Sequence, residues 1–256
     1  MLRHELEHLL RDLAQDIRGR RPKTRVDKGR HDPVTDIDMM ADRVLTAQLE
    51  ALTPGIPVLS EEREIRELPP RYWITDPLDG TANLVAGLPF IATAAALIDH
   101  GRTVLAGVAD IDRNRVFTAA GGKGAFLDGA PLRVPDRASE LLALSSEFLD
   151  RSLEDPTVIQ NLRRLGKFRN LGSQALQLCA VAEGHLAASI SLEARRWDDA
   201  AGALILVEAG AHYRCFPMGP RADDKQRSIA AHPDIADTVA RLTAPIWADT
   251  KIGEIC

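Results

Sequence analysis

Cysteine and aromatic residues are scarce in this 256-residue chain, and basic residues do not outnumber acidic ones. The three cysteines, Cys179, Cys215 and Cys256, show no zinc-type spacing, and an odd, irregular set does not suggest a disulfide framework. A reduced, cytoplasmic setting is therefore expected. Aromatics make up only 4% of the residues, so the core must rest on Leu, Val, Ile and Ala. The formal net charge of −5 speaks against a nucleic-acid partner, whose phosphates call for a basic face. One run, Arg18 to Arg30, is locally basic and reads as a solvated loop. The longest apolar stretch, Ile91 to Ile98, is far shorter than the roughly 20 residues that cross a bilayer. The opening Met1–Leu6 is charged and lacks the apolar core of a signal peptide, so no membrane partner is expected. Repeats and low-complexity tracts are missing too. What remains is the profile of an ordinary globular chain, long enough for one large domain or two closely packed ones.

Leu6, Leu9, Leu10, Leu13 and Ile17 recur at helical spacing and predict an opening amphipathic helix, closed by Gly19 and Pro22. Residues 20–33 are polar and aperiodic and read as a loop. Thr35 then N-caps a second helix whose buried face runs from Ile37 to Leu52, with Asp36 and Asp38 in the first turn, where the helix dipole favours negative charge. Pro57–Ser60 and Tyr72–Thr75 are short strand candidates. Ile91–Ile98, Thr103–Asp110 and Arg115–Ala119 read as antiparallel strands, and Asp128-Gly129 as a tight hairpin turn. Beyond about residue 138 the pattern alternates. Leu141–Leu144 and His185–Ile190 read as strands, and Pro156–Leu165, Ser173–Glu183 and Asp198–Ala209 as helices. This divides the chain into an α+β half, 1–137, with an antiparallel sheet, and an α/β half, 138–256.

The chemistry concentrates in Trp73-Ile74-Thr75-Asp76-Pro77-Leu78-Asp79-Gly80-Thr81-Ala82-Asn83. Two carboxylates stand three residues apart at the end of an apolar run, and Pro77 holds Asp76 extended. Each aspartate alone is either a turn former or a ligand. With the Leu78 carbonyl between them they form a hard oxygen donor set of the kind Mg²⁺ takes. Gly80 and Thr81 begin a helical turn whose N–H groups can receive an anion. Carboxylates about 4 Å apart repel by about 4 kcal/mol per pair at an effective dielectric of about 20, so such a cluster calls for a cation. Ser60-Glu61-Glu62 upstream and Trp197-Asp198 downstream add acids from distant segments; Asp198 is either a helix N-cap, a ligand, or both.

Four ordered segments resemble the inositol monophosphatase family, within the lithium-sensitive, magnesium-dependent phosphatases. They are Pro33–Asp38, Ser60-Glu61-Glu62, Asp76–Asn83 with Gly87-Leu88-Pro89-Phe90, and Trp197-Asp198-Asp199-Ala200-Ala201-Gly202 with Glu208-Ala209-Gly210. The resemblance spans about residues 5 to 215. It implies the layered αβαβα sandwich shared with fructose-1,6-bisphosphatase, of class α+β, and commonly a homodimer. It implies two to three Mg²⁺ ions per site: one on Glu61, Asp76 and the Leu78 carbonyl, a second on Asp76, Asp79 and Asp198, and a weaker third near Glu61. Thr81 and Asp38 match residues that orient or activate the attacking water, and Glu62 a supporting acid. Asp79, Gly80, Thr81, Gly172, Ser173 and Gln174 match the lining of the substrate pocket. Lys28 corresponds to an entrance lysine that either draws in the anionic ester or is a surface residue.

The resemblance is incomplete where it bears on substrate. Gln174 stands where the family usually carries a small residue. Inositol-selective members have a glutamate seven residues before the aspartate of the Trp-Asp pair; here that position is Ser191. Glu193 either replaces it or is simply solvated, and Arg195 and Arg196 either meet a second anionic group or are exposed. The expected activity is Mg²⁺-dependent hydrolysis of a small phosphate monoester: an inositol phosphate or another polyol or sugar phosphate. Histidinol phosphate and adenosine 3′,5′-bisphosphate are the alternatives, and a non-catalytic regulatory module is the rival class.

Overall fold

The first layer is a pair of helices whose apolar stripes face inward. Helix α1 (Leu2–Ile17) buries Leu6, Leu10, Leu13, Ala14 and Ile17 along one side. Helix α2 (Asp36–Leu52) buries Ile37, Ala41, Leu45 and Leu49. Its N-terminus is a capping box: Thr35 Oγ1 accepts from the Ile37 amide at 3.2 Å, and the Asp38 carboxylate accepts from the Thr35 amide at 2.8 Å. The computed structural model describes residues 1–29, 32–63, 68–219, 221 and 223–247. Between the helices, the expected loop is in fact a two-stranded antiparallel ribbon, β1 (Arg25–Gly29) and β2 (Asp32–Thr35). The ribbon lacks the apolar alternation that marks a strand, because it covers little: Val26 is 67% exposed.

The helices lie on a seven-stranded sheet in the order β3-β4-β5-β6-β7-β8-β9. Its strands are β3 (Val58–Ser60), β4 (Arg71–Asp79), β5 (Ala92–Asp99), β6 (Arg102–Asp110), β7 (Arg115–Ala120), β8 (Ala125–Leu127) and β9 (Ala130–Leu132). Only β3 pairs in parallel, with β4; every later neighbour is antiparallel. Asp128 and Gly129 both take positive φ at the β8–β9 turn, as the Asp-Gly signal predicts. Strand β4 is buried from Tyr72 to Asp79. Trp73 joins the core under α1 and α2, while Tyr72 and Ile74 join the core on the other face, so a continuous apolar run replaces simple alternation.

A second, mixed sheet of five strands runs β11-β10-β12-β14-β13. It comprises β10 (Leu141–Leu144), β11 (Lys167–Arg169), β12 (Ala188–Ala194), β13 (His212–Pro217) and β14 (Gln226–Ala231). Strand β12 begins three residues later than expected. Strands β13 and β14 and helix α8 (Ala236–Trp247) are additions to the expected elements. Helices α6 (Gln174–Ala182) and α7 (Arg196–Glu208) pack between the two sheets, and α4 (Ser146–Arg151), α5 (Pro156–Leu162) and α8 cover the outer face of the second. The layers read α-β-α-β-α, as expected. Cys179 is a free, buried thiol on α6. Cys215 in β13 is disulfide-bonded, which departs from the expectation of reduced cysteines.

Candidate metal centre and active site

The end of β4 and the end of β3 lie side by side because the two strands pair in parallel, Ser60 opposite Thr75. Parallel pairing brings both carboxyl ends to one edge, so the residues that follow, Glu61 and Asp76, emerge together. The Glu61 amide also donates to the Thr75 carbonyl at 3.2 Å, continuing the ladder by one step. Asp198 arrives from the first turn of α7. One carboxylate oxygen from each of Glu61, Asp76 and Asp198 lies within 4.8 Å of the others. This trio is drawn from segments 122 residues apart between Asp76 and Asp198, and it fits a hard divalent cation in donor type and spacing.

The electrostatics agree. Burial, then the charges of Glu61, Asp79 and Asp198, push the Asp76 carboxyl well above the usual carboxylate range. Burial and the neighbouring Glu61 and Asp79 do the same to Asp198, against the Arg195 amide that donates to it at 2.7 Å. A group of acids this strongly opposed to its own ionisation is built for a positive charge in its midst.

Asp79 is near the trio but turned differently. Its Oδ2 accepts from Ser173 Oγ and from the Ala175 amide, both at 2.7 Å, and its Oδ1 from the Gln174 amide at 3.3 Å. It thus caps the N-terminus of α6 across the cleft. Burial raises its carboxyl to about 6 in spite of these bonds. Short helix α3 (Thr81–Ala86) starts at Gly80, whose φ of +95° suits glycine alone and where a Cβ would meet the Phe90 carbonyl oxygen at 2.9 Å. The Thr81 hydroxyl reaches Asp38 Oδ1 at 2.7 Å and the Leu78 carbonyl at 3.1 Å. Asp38, 2% exposed, is fixed from its other side by the Thr35 amide and hydroxyl. The structure therefore joins Thr81, Asp38 and Leu78 beside the acid trio.

Glu62 follows Glu61 in the same turn, its amide donating to Ser60 Oγ at 3.4 Å. Gly172 adopts φ +77°, and a Cβ there would meet the Asn83 side chain at 2.9 Å. Gln174 is placed otherwise than expected: its amide nitrogen donates to Asp199 at 2.8 Å and reaches Ser228 Oγ at 3.4 Å. It points into the packing between α6, α7 and β14. Ser191 is 2% exposed on β12, opposite Ser228. Glu193 accepts from the first amide of α4, Ser146, at 3.0 Å. Lys28 falls in β1, and its side chain lies outside the described residues.

Two residues at the site carry positioning roles that their sequence context hides. Asn83 donates to the Phe90 carbonyl at 2.9 Å and to the Leu171 carbonyl at 2.7 Å, binding the α3 loop to the segment before α6. Arg63 donates through Nε to buried Asp42 of α2 at 2.9 Å, holding the turn that carries Glu61. A lone Asn and a lone Arg give no periodic or spacing signal; only the Asn at the end of the acidic motif stands in a recognisable frame.

Fold and site together define a five-layered α+β protein with an acid-lined cleft at the ends of paired strands. The chain belongs to the inositol monophosphatase family, which residues 5–248 match. It is 34% identical to the inositol-1-monophosphatase SuhB of Mycobacterium tuberculosis over 265 aligned positions, covering 92% of this chain and 91% of that one. It is likewise 34% identical to the Nus factor SuhB of Xylella fastidiosa, over 78% of this chain and 76% of the relative. The solved Thermotoga maritima IMPase superposes with a TM-score of 0.81 at 29% identity, covering 97% and 98% of the two chains. Among the described residues no helix is long and apolar enough to cross a membrane.

Proposed function

We propose that the protein is a Mg²⁺-dependent phosphatase of small phosphate monoesters, with Glu61, Asp76 and Asp198 holding the metal. The observation that carries this is the trio itself: three carboxylates from three segments, within 4.8 Å, with two of them pushed toward protonation by burial and by each other. Bound there, Mg²⁺ supplies charge neutralisation for the ester oxygens and acidifies a water. Asp79 and the Leu78 carbonyl would complete the donor set for the two to three ions the site would hold.

The rest is the work of the chain's own groups. Thr81 Oγ donates to Asp38 Oδ1, which leaves its lone pairs free to accept from a water and aim it at phosphorus. The proton of that water passes through Thr81 Oγ1 to the Asp38 carboxylate, which Thr35 holds in place, while the ester P–O bond breaks and the leaving alkoxide takes a proton from solvent water. The Gly80 and Thr81 amides receive the phosphate oxygens as their charge grows. Glu62 supports the water network from the adjoining turn. Gly172 and Ser173 form the wall opposite, and Ser191, in place of a carboxylate, leaves that wall without the anionic group an inositol ring would meet. The substrate is therefore a small phosphate monoester, an inositol phosphate or another polyol or sugar phosphate, bound without strict inositol selectivity. Lys28 assists entry of the anion.

A homodimer and a cytoplasmic setting belong to the same proposal. The few cysteines favour the cytoplasm, and the bonded Cys215 is the observation against it. A regulatory role is the second reading, supported by the 34% identity to a relative named as a Nus factor. A phosphate-release screen over inositol, sugar, polyol and histidinol phosphates and adenosine 3′,5′-bisphosphate decides between them. Release that requires Mg²⁺ and disappears in Asp198→Asn is expected. Silence on every ester would leave the regulatory reading standing.

A further inference from the structure

A cavity of about 260 Å³ lies between the two sheets, bordered by β4, β5, α7, β13 and β14. Its walls are Ile74 of β4, Ile98 of β5, Ala200 and Ala203 of α7, and the rings of Tyr72 and Tyr213. None of Glu61, Asp76 or Asp198 lines it. Its volume is slightly below the roughly 300–1,000 Å³ of sites for drug-sized molecules.

The polar groups on this mostly apolar wall are the informative ones. Arg196 lines the cavity, is only partly exposed, and forms no hydrogen bond or ion pair among the described residues. A guanidinium held against apolar walls without a carboxylate is an unmet electrostatic demand. Gln226, 3% exposed, also lines the cavity; its nitrogen donates to Asp199 at 2.7 Å, while its Oε1 has no partner. The Tyr213 hydroxyl, on a residue 8% exposed, faces Asp199 and Ser228. One cavity thus gathers a cation unpaired among the described residues and a buried amide oxygen without a partner, where native interiors leave few.

We propose that this cavity is a second binding site, for a small monocarboxylate with an apolar body. The carboxylate would pair with Arg196 in the bidentate manner guanidinium favours. The apolar body would lie against Ile74, Ile98, Ala200 and Ala203. A single cation on a mostly apolar wall fits one negative charge; a phosphate dianion would leave its second charge against aliphatic carbon. Arg196 and Asp198 share the first turn of α7.

Benzoate is a suitable probe and benzamide its neutral counterpart. Calorimetric titration of the whole protein in Mg²⁺ should show saturable benzoate binding with a Kd of about 1 mM. Arg196→Met should weaken benzoate at least about tenfold while leaving phosphate release without benzoate unchanged, and benzamide should bind the wild type about as weakly as benzoate binds that variant. Ala203→Phe should fill the cavity and remove binding of both. Benzoate should still bind Asp198→Asn, which separates this site from the acid trio. No saturable benzoate binding to the wild type, equal binding to Arg196→Met, or equally tight benzamide would each overturn the proposal. If Ala203→Phe does not fold, the comparison of Arg196→Met with benzamide still decides.

Discussion

Replacing Asp76 by Asn should make the metal-free protein more stable while abolishing its Mg²⁺-dependent activity. In the folded chain one Asp76 oxygen lies within 4.8 Å of a carboxylate oxygen on both Glu61 and Asp198. At an effective dielectric of about 20, each such repulsion amounts to about 3.5 kcal/mol when both groups are charged. Partial protonation trims this at neutral pH, leaving a net gain of about 3 kcal/mol for the neutral amide at pH 8. The geometry survives the change, because the Leu78 amide that donates to Asp76 Oδ1 at 3.0 Å finds the same acceptor in Asn. For a chain of this size about 3 kcal/mol corresponds to a rise in Tm of about 6–12 °C.

The pH dependence gives the argument its sign. The folded Asp76 and Asp198 carboxyls are raised above their unfolded values, and Asp79 stands at about 6. The stabilisation from holding these protons is complete below about pH 4, and it is lost as pH rises through the folded values. The chelated wild type should therefore melt at lower temperature at pH 8 than at pH 5, and Asp76→Asn should close much of that gap. Added Mg²⁺ should reverse the order at pH 8, raising the wild type but not the variant. Scanning calorimetry in chelator and in Mg²⁺ at the two pH values tests all of this. An unchanged or lower Tm for the chelated variant at pH 8 would refute the mutual repulsion on which the metal assignment stands.

Two other substitutions probe the neighbours. Thr81→Val removes the hydroxyl that joins Asp38 to the attacking water, and kcat should fall about 10²–10⁴-fold with KM little changed, measured by phosphate release. Gln174→Ala removes donors to Asp199 and Ser228, and should lower stability by about 1–3 kcal/mol in denaturant melts while leaving KM for small esters nearly constant; a large KM effect would put that side chain back in the substrate pocket.

Most of the layered fold is legible in the sequence because its elements bury on defined faces. Helices α1 and α2 and the β5–β6–β7 meander carry strong apolar periodicity, and Thr35 announces a helix start. The β1–β2 ribbon escapes the same logic because β1 is exposed over 25–27 and the buried positions of β2 are Pro33 and Thr35, which carry no apolar alternation to read. Strand β13 does carry the signal, with Tyr213 and Cys215 buried against exposed His212 and Arg214, yet it lies beyond the last expected helix. At the site, residue types fixed by local motif are readable: Glu61, Asp76 and Asp198 converge as their motifs imply. Side-chain direction is another matter. Gln174 turns inward because Asp199, 25 residues later, offers a buried charge, and Asp79 turns to α6 because three donors wait there. Such choices are settled by partners that the local sequence does not contain.

The cap that Asp79 places on α6 has a consequence for how relatives can exchange parts. A carboxylate from the first sheet closes the start of a helix belonging to the second, and Asn83 repeats the tie nearby through Leu171. Residues proposed to bind metal and residues proposed to face the leaving group thus form one mechanical unit, although nearly a hundred positions separate them. Grafting a new substrate wall onto this scaffold means transplanting Gly172–Ala175 together with its counterpart at 79–83. A chimera joined near residue 137 would take the two partners of this seam from different parents.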